Sequence, residues 1–377
     1  SNNTEEITRL IKKYMKKTYL TSENKIELAL EIAHRELEIL NEIDYKNGYS
    51  LYVGIPFCPT RCSYCSFTSY PLDKYENMVE DYIKALVKEM EYASTMIKNK
   101  TLTTVYIGGG TPTTLKAEQL EFIINKIKEL WNFDTVKEFT VEAGRPDSIT
   151  REKLQVLKKC GVTRISINPQ TMRQHTLDLI GRKHTVESIE TVYNMAKEVG
   201  HNNINMDLIL GLPGETLEDV KYTLNKIKQL NPDNLTVHTL AIKRAAYLNI
   251  YKDKYEELLP KHVTDMVEET FKFAKENGYI PYYMYRQKNM TDNLENIGYA
   301  RYGFEGIYNI LMMEERQNIL ALGAGAVCKF IDYKDNRIER LDNVKSLKDY
   351  IERIDDMIQK KMNFSMSKGA YFDGIFR

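Results

Sequence analysis

The sequence predicts an α/β protein: a parallel sheet covered by helices, with a helical leader before it and a mixed α+β region after it. Three observations carry this. From Tyr49 to about Ala241, short runs rich in Val, Ile and Thr alternate with amphipathic runs of helical period, as βαβ units do. Residues 4 to 43 show the helical period alone, and after Ala241 the alternation stops.

In the leader, Ile7, Leu10, Ile11 and Tyr14, then Ile26, Leu28, Leu30, Ile32, Leu37 and Leu40, are interleaved with Lys and Glu up to a stop near Asn47-Gly48. Strands are expected at 51–55, 103–107, 138–142, 163–167, 203–210 and 234–241, with helices near 74–97, 117–130, 150–159, 185–199 and 216–229. Six strands are fewer than a closed eight-stranded barrel needs, so a partial barrel and an open doubly wound sheet both fit. Beyond them, a helix is expected from 254 to 276, ending at Asn277-Gly278, and a terminal helix over 341–362 precedes a polar tail. Tyrosine is concentrated between them, at 279, 282, 283, 285, 299, 302 and 308. Three regions follow: a leader over 1–48, the sheet region over 49–245 and a C-terminal substrate or lid region over 246–377.

The chain has 377 residues, with 53 Lys plus Arg against 53 Asp plus Glu. A net charge of zero offers no basic field for a polyphosphate, so no nucleic-acid partner is expected. The most apolar stretch, 318–331, is too short for a membrane span and is broken by glycines. The opening residues are polar and lack both a starting Met and a secretory pattern, so the leader reads as the remnant of a longer N-terminus. Five cysteines, an odd and sparse number, point to a reducing cytoplasm.

Three of the five are clustered. Cys58, Cys62 and Cys65 form C-x₃-C-x₂-C in the loop after the first expected strand. Thiolates at this spacing can converge on an iron–sulfur cluster or on zinc. No fourth cysteine is local and no histidine lies within twenty residues, as a structural zinc would want. Three ligands leave a [4Fe–4S] cluster with one open iron. Cys160, before Gly161 at a helix end, reads as buried structure, and Cys328 lies near a glycine loop. Gly108-Gly109-Gly110 follows a strand and precedes a helix, where its backbone can approach a ligand and offer N–H groups to a carboxylate. No Gly-Lys-Ser/Thr follows, so it is not a Walker loop.

The cysteine loop resembles that of the radical S-adenosylmethionine (SAM) superfamily. More narrowly, Tyr52 through Cys58, Gly108 through Thr113, Arg164-Ile165-Ser166-Ile167-Asn168-Pro169-Gln170, Leu179 through Arg182 and Asn205 through Thr216 are similar, in family order, to motifs of the oxygen-independent coproporphyrinogen III oxidases. Val141 through Asp147, Tyr285 through Met290 and Asn293 through Ala300 resemble the HemZ branch. The resemblance implies a partial (β/α)6 TIM-like barrel with a mixed α+β C-terminal domain. It implies a [4Fe–4S] cluster on Cys58, Cys62 and Cys65, with SAM on the fourth iron.

For that SAM, the implied contacts are Glu142 to the ammonium, Arg182 to the carboxylate and Gln170 and Asp207 to the ribose, with Tyr52 beside the cluster and Gly109 in the glycine motif. A second SAM-contacting set is implied at Tyr64, Gly110, Thr111 and Ala241. The implied reaction converts two propionates of coproporphyrinogen III to vinyl groups through a 5′-deoxyadenosyl radical, with no catalytic acid or base and with a flavodoxin- or ferredoxin-like electron donor. Arg145, Lys243, Arg244, Arg286 and Lys288 are candidate cations for the substrate carboxylates, and the tyrosine stretch is either a flat wall for a macrocycle or a half-buried strand. Leu322 through Ala326 resembles a glycine loop that closes near the site. Three residues depart from the best-studied branch: Gly54 stands where many relatives carry histidine, Tyr64 where they carry phenylalanine, and Phe67 where some carry cysteine. The rival readings are a haem chaperone of the same family and a different radical SAM reaction on a tetrapyrrole.

Overall fold

The strand Gly48–Ile55 (β1) shows how the sheet is built. Leu51, Val53 and Ile55 are fully buried on one face, and Ser50, Tyr52 and Gly54 alternate with them on the other. After two short strands that pair with each other, Phe57–Cys58 (β2) and Tyr70–Pro71 (β3), the same division recurs in Thr101–Gly109 (β4), Glu138–Gly144 (β5), Arg164–Ile167 (β6), Ile204–Leu210 (β7) and Asn234–Thr239 (β8). Val105, Val141, Ile165, Met206 and Leu235 face the helices, while Tyr106, Glu142, Ser166, Asp207 and Thr236 face the other way and line a common cavity. A closed barrel normally fills its interior with branched aliphatic side chains. Here both faces are covered, yet one is polar, so that face is a chamber.

The computed structural model describes residues 2–65, 69–241, 246, 250, 256–260, 262–285, 294–335, 337–368 and 376. The six expected strands run parallel in chain order. Five more extend the same sheet: Ile280–Tyr285 (β9), Asn296–Ala300 (β10), Asn318–Leu322 (β11), Val327–Asp332 (β12) and Arg337–Asp342 (β13). The full order is β13-β12-β11-β1-β4-β5-β6-β7-β8-β10-β9, open at both ends. β11 lies parallel to β1, and β9, β10, β12 and β13 are antiparallel to their neighbours. One cavity receives side chains from β4 through β9, which requires the sheet to curl around it as a partial barrel.

The helices Ala117–Leu130, Arg151–Lys159, Val186–Val199 and Leu217–Leu230 lie where the periodicity puts them. Their ends are chemically marked: Thr150, Thr185 and Thr216 each accept an N-cap hydrogen bond, and Gly200 closes its helix at φ 97°. Other expectations need correction. The leader is two helices, Asn2–Tyr19 and Glu23–Asn41, broken at Leu20, whose φ is 51°. The expected 74–97 helix contracts to Val79–Ala93 after two short turns. The expected 254–276 helix begins only at Val263, behind a separate turn at Glu256–Leu258. The expected terminal helix is two helices, Leu347–Glu352 and Ile354–Lys368, and its first residues belong to β13, where a ladder to β12 outcompetes helix formation. Of the tail, Phe376 is described, buried against Phe330 and Phe364.

Candidate active site

The strand-end loops converge on a cavity of about 450 Å³. Cys58 and Cys65 line its mouth, with Tyr64, Gly109, Gly110, Glu142, Gln170, Arg182, Asp207 and Ala241. Every expected cofactor residue except Tyr52, Cys62 and Thr111 therefore lines one cavity. Tyr52 stands behind it, its ring 6.1 Å from that of Tyr106 and 6.5 Å from that of Tyr308.

The glycine motif has a different task from the one its sequence suggests. The N–H of Gly110 donates to Ile55 O at 2.8 Å and that of Thr111 to Phe57 O at 2.7 Å. They are spent on the cysteine loop and are not offered to a ligand carboxylate. Thr111 Oγ1 also donates to Cys58 Sγ at 3.6 Å. A Cβ on Gly110 would stand 2.5 Å from Phe57 O and 3.0 Å from Cys58 Sγ. Gly110→Ala is therefore expected to displace the loop, costing about 1–3 kcal/mol and lowering iron content per chain; wild-type iron and an unchanged melting temperature would contradict this.

Arg145 is likewise not free for a substrate. It is buried, grips Asp147 through Nε at 2.9 Å and Nη2 at 2.6 Å, and donates through Nη1 to Thr60 O at 3.0 Å, Thr60 Oγ1 at 2.6 Å and Cys62 Sγ at 3.7 Å. It braces the loop instead. Ser63 N donates to Ile180 O at 3.0 Å, which ties the loop to the Leu179–Arg182 turn. Lys243, Arg244, Arg286 and Lys288, like Phe67, lie outside the described residues.

Arg182 donates to Tyr64 Oη at 2.9 and 3.1 Å and to Asn168 O at 2.6 Å. Glu142 accepts from Tyr106 Oη at 2.5 Å, and burial pushes its carboxyl up to about 7, with Asp207 adding to the rise. Asp207 sits mid-strand in β7 and not at its end. Burial would raise its carboxyl, but His238 at 3.7 Å and a hydrogen bond from Asn205 hold it below the usual carboxylate range. Gln170 has φ 69° and extends the ladder beside β7, donating to Asp207 O at 2.9 Å. Its Oε1 is buried without a partner among the described residues, as are Asn168 Oδ1, Ser166 Oγ and two nitrogens of Arg164.

The tyrosine stretch divides. Tyr283 and Tyr285 line the cavity, whereas Tyr279, Tyr282 and Tyr299 are buried in packing. Cys160 caps its helix and Cys328 is buried in β12 beside Ala321, so both are structural. The Leu322–Ala326 loop packs on Gly54: a Cβ on Gly323 would stand 2.7 Å from Gly54 O. Arg164, Ser166, Asn168, Asn205, Thr236 and His238 are lining residues that the sequence reading did not single out. The signal for the first three was the alternation Arg-Ile-Ser-Ile-Asn, polar at every second position.

The donors suit an iron–sulfur cluster and a polar nucleoside. All five cysteines are free thiols, and burial pushes that of Cys58 up to about 11, so iron loading releases protons. Among the described residues, no three His, Cys, Asp or Glu side chains are set to hold a single ion. A cluster takes its thiolates on separate irons, and the orphaned amide and hydroxyl oxygens above await a polar ligand.

The barrel and its cysteine mouth define a class, and comparison with known proteins agrees: the radical SAM superfamily model matches residues 52–227. The chain belongs to that superfamily, which implies a [4Fe–4S] cluster and SAM. Within it, the chain is 43% identical to the oxygen-independent coproporphyrinogen-III oxidase-like protein HemZ of Bacillus subtilis, over 93% of this chain and 71% of that one. It is 32% identical to the heme chaperone HemW of the same organism, over 74% of this chain and 70% of that one. The structure of coproporphyrinogen III oxidase HemN from Escherichia coli shares the fold, with a TM-score of 0.66 at 23% identity, covering 85% of this chain and 72% of that one. No helix among the described residues is long and apolar enough to cross a membrane.

Proposed function

We propose that the protein catalyses oxygen-independent oxidative decarboxylation of coproporphyrinogen III to protoporphyrinogen IX, working in the cytoplasm with a flavodoxin- or ferredoxin-like electron donor. The observation that carries this is the chamber under the cysteine mouth, lined by polar side chains and walled by Tyr106, Tyr283 and Tyr285. The bound cluster and SAM supply a carbon-centred oxidant, which such a chamber keeps from water. Each propionate that becomes a vinyl group loses one CO₂ and one hydrogen atom, and one further electron goes to an acceptor.

In this reading Cys58, Cys62 and Cys65 hold the cluster, with Tyr52 behind it. Glu142 accepts the N–H hydrogens of the SAM amino group, Arg182 pairs with its carboxylate, and Gln170 and Asp207 take the ribose. Tyr64, Gly110, Thr111 and Ala241 are the positions for a second SAM. Residues 1–48, 49–245 and 246–377 are leader, barrel and substrate region.

Incubating reduced, reconstituted protein with SAM and coproporphyrinogen III without oxygen is expected to yield CO₂ and protoporphyrinogen IX. Deoxyadenosine without decarboxylation would defeat the proposal, and stable one-to-one haem binding without turnover would favour a chaperone. A second test uses Glu142. A raised carboxyl is neutral below its pKa, so its stabilising effect is present at low pH and is lost as pH rises through about 7. SAM needs the ionised form. SAM affinity is therefore expected to rise with pH through about 7 and level off above it, and Glu142→Gln is expected to bind about tenfold more weakly with a flat profile. An unchanged profile in the variant would remove Glu142 from the site.

A further inference from the structure

The chamber contains a buried cation with two hydrogen-bond donors unspent among the described residues. Arg164 is 2% exposed, opens β6 and lines the cavity. Its Nε and Nη2 are buried without a hydrogen-bond partner among the described residues. Buried guanidinium N–H groups left without an acceptor are costly, and native folds rarely keep them.

Glu138, Glu142 and Asp207 offset part of its charge, but their oxygens accept hydrogen bonds from other groups. Glu138 accepts from Ile307 N at 2.5 Å, Tyr308 N at 3.4 Å and Thr140 Oγ1 at 2.9 Å. Glu142 is taken by Tyr106 and Asp207 by Asn205. Nor does Arg164 stand alone, because Ser166 Oγ, Asn168 Oδ1 and Gln170 Oε1 also lack partners. Arg164 and Ser166 share one face of β6, and the turn beyond it brings Asn168 and Gln170 to the same cavity.

We propose that this row is a ligand track, with the rim end taken by the cofactor, and that Arg164 binds a carboxylate of the substrate at the floor. The guanidinium fork matches a carboxylate in two parallel hydrogen bonds. Tyr106, Tyr283 and Tyr285 present aromatic faces beside it, and Met312 and Met313 add an adaptable apolar edge. The ligand class is a carboxylic acid carried on a flat, largely apolar body. The inference rests on the tetrapyrrole reading for the identity of that body, though not for the acid.

The test is Arg164→Met, reconstituted anaerobically beside wild type. A residue kept for a ligand is dispensable to the fold, so the variant is expected to melt at or above the wild-type temperature and to keep its cluster absorbance and SAM affinity. Its affinity for coproporphyrin III is expected to fall at least about tenfold, while binding of the uncharged coproporphyrin tetramethyl ester is unchanged. Unaltered coproporphyrin affinity, or a much lower melting temperature at equal affinity, would overturn the proposal. Should the methionine variant not fold, Arg164→Lys, which keeps the charge without the fork, serves for the same comparison. If wild type binds neither porphyrin, the tetrapyrrole reading falls separately. The acid is then judged with glutarate, adipate and pimelate: stabilisation of wild type but not of the variant supports it, and no stabilisation of wild type refutes it.

Discussion

Replacing Cys62 with alanine is expected to abolish iron–sulfur absorbance and SAM cleavage together while leaving the fold intact. The loop does not depend on a metal for its path. Arg145 binds Thr60 through both its carbonyl and its hydroxyl, Ser63 is tied to Ile180, and Gly110 and Thr111 clamp Ile55 and Phe57. Those contacts survive the substitution, and only the Sγ contact of Arg145 is lost. With two cysteines left the cluster lacks a ligand, so the loss in SAM cleavage is complete and not graded. Anaerobic reconstitution followed by iron and sulfide analysis checks this, with far-UV circular dichroism reporting the fold. Cluster absorbance equal to wild type would show that Cys62 is no ligand.

Why the sequence disclosed some of this site and hid the rest follows from how each element is stabilised. The barrel strands were legible because each places an apolar residue toward the helices at every second position, and their helices carry local caps such as Thr185 and Thr216. β11 was missed because its ladder to β1 joins residues as distant as Ser50 and Ile319, a pairing without local signature. The cysteines were legible from spacing alone. Arg145 misled because charge is visible in a sequence and pairing is not, although Asp147 two residues on was the available clue. Arg164 was quoted within a motif, yet its meaning depends on which face of β6 it occupies and on which neighbours decline to bind it. Glu89 carried a similar clue, a charge between Leu86 and Met90 on the buried face of its helix.

Lys361→Met is expected to destabilise the protein by about 3–5 kcal/mol, because it leaves a buried carboxylate without its counter-charge. Lys361 is 1% exposed and Glu89 is 0% exposed. The lysine Nζ lies 2.8 Å from Glu89 Oε1 and donates to Asn343 Oδ1 at 2.7 Å. Glu89 also accepts from Asn343 Nδ2 at 2.7 Å, Gly323 N at 2.9 Å and Tyr350 Oη at 2.5 Å. Burial opposes the charge on Lys361, but Glu89 outweighs it and holds the amine above its ordinary range. A raised amine gives stability that is present below its unfolded pKa and lost only as pH rises through the folded one, so the pair is intact near neutrality. The network reaches the site: Gly323 packs on Gly54, whose carbonyl accepts from Tyr82 Oη at 2.5 Å, near the end of the strand β1 that leads into Cys58. Lys361→Met is thus expected to lower the urea midpoint and to expose the helix Ile354–Lys368 first to hydrogen exchange. Adding Glu89→Gln to it removes the stranded charge and is expected to restore part of the loss. A midpoint equal to wild type in the single variant would mean that solvent reaches Glu89 and that the C-terminal helix does not brace the barrel.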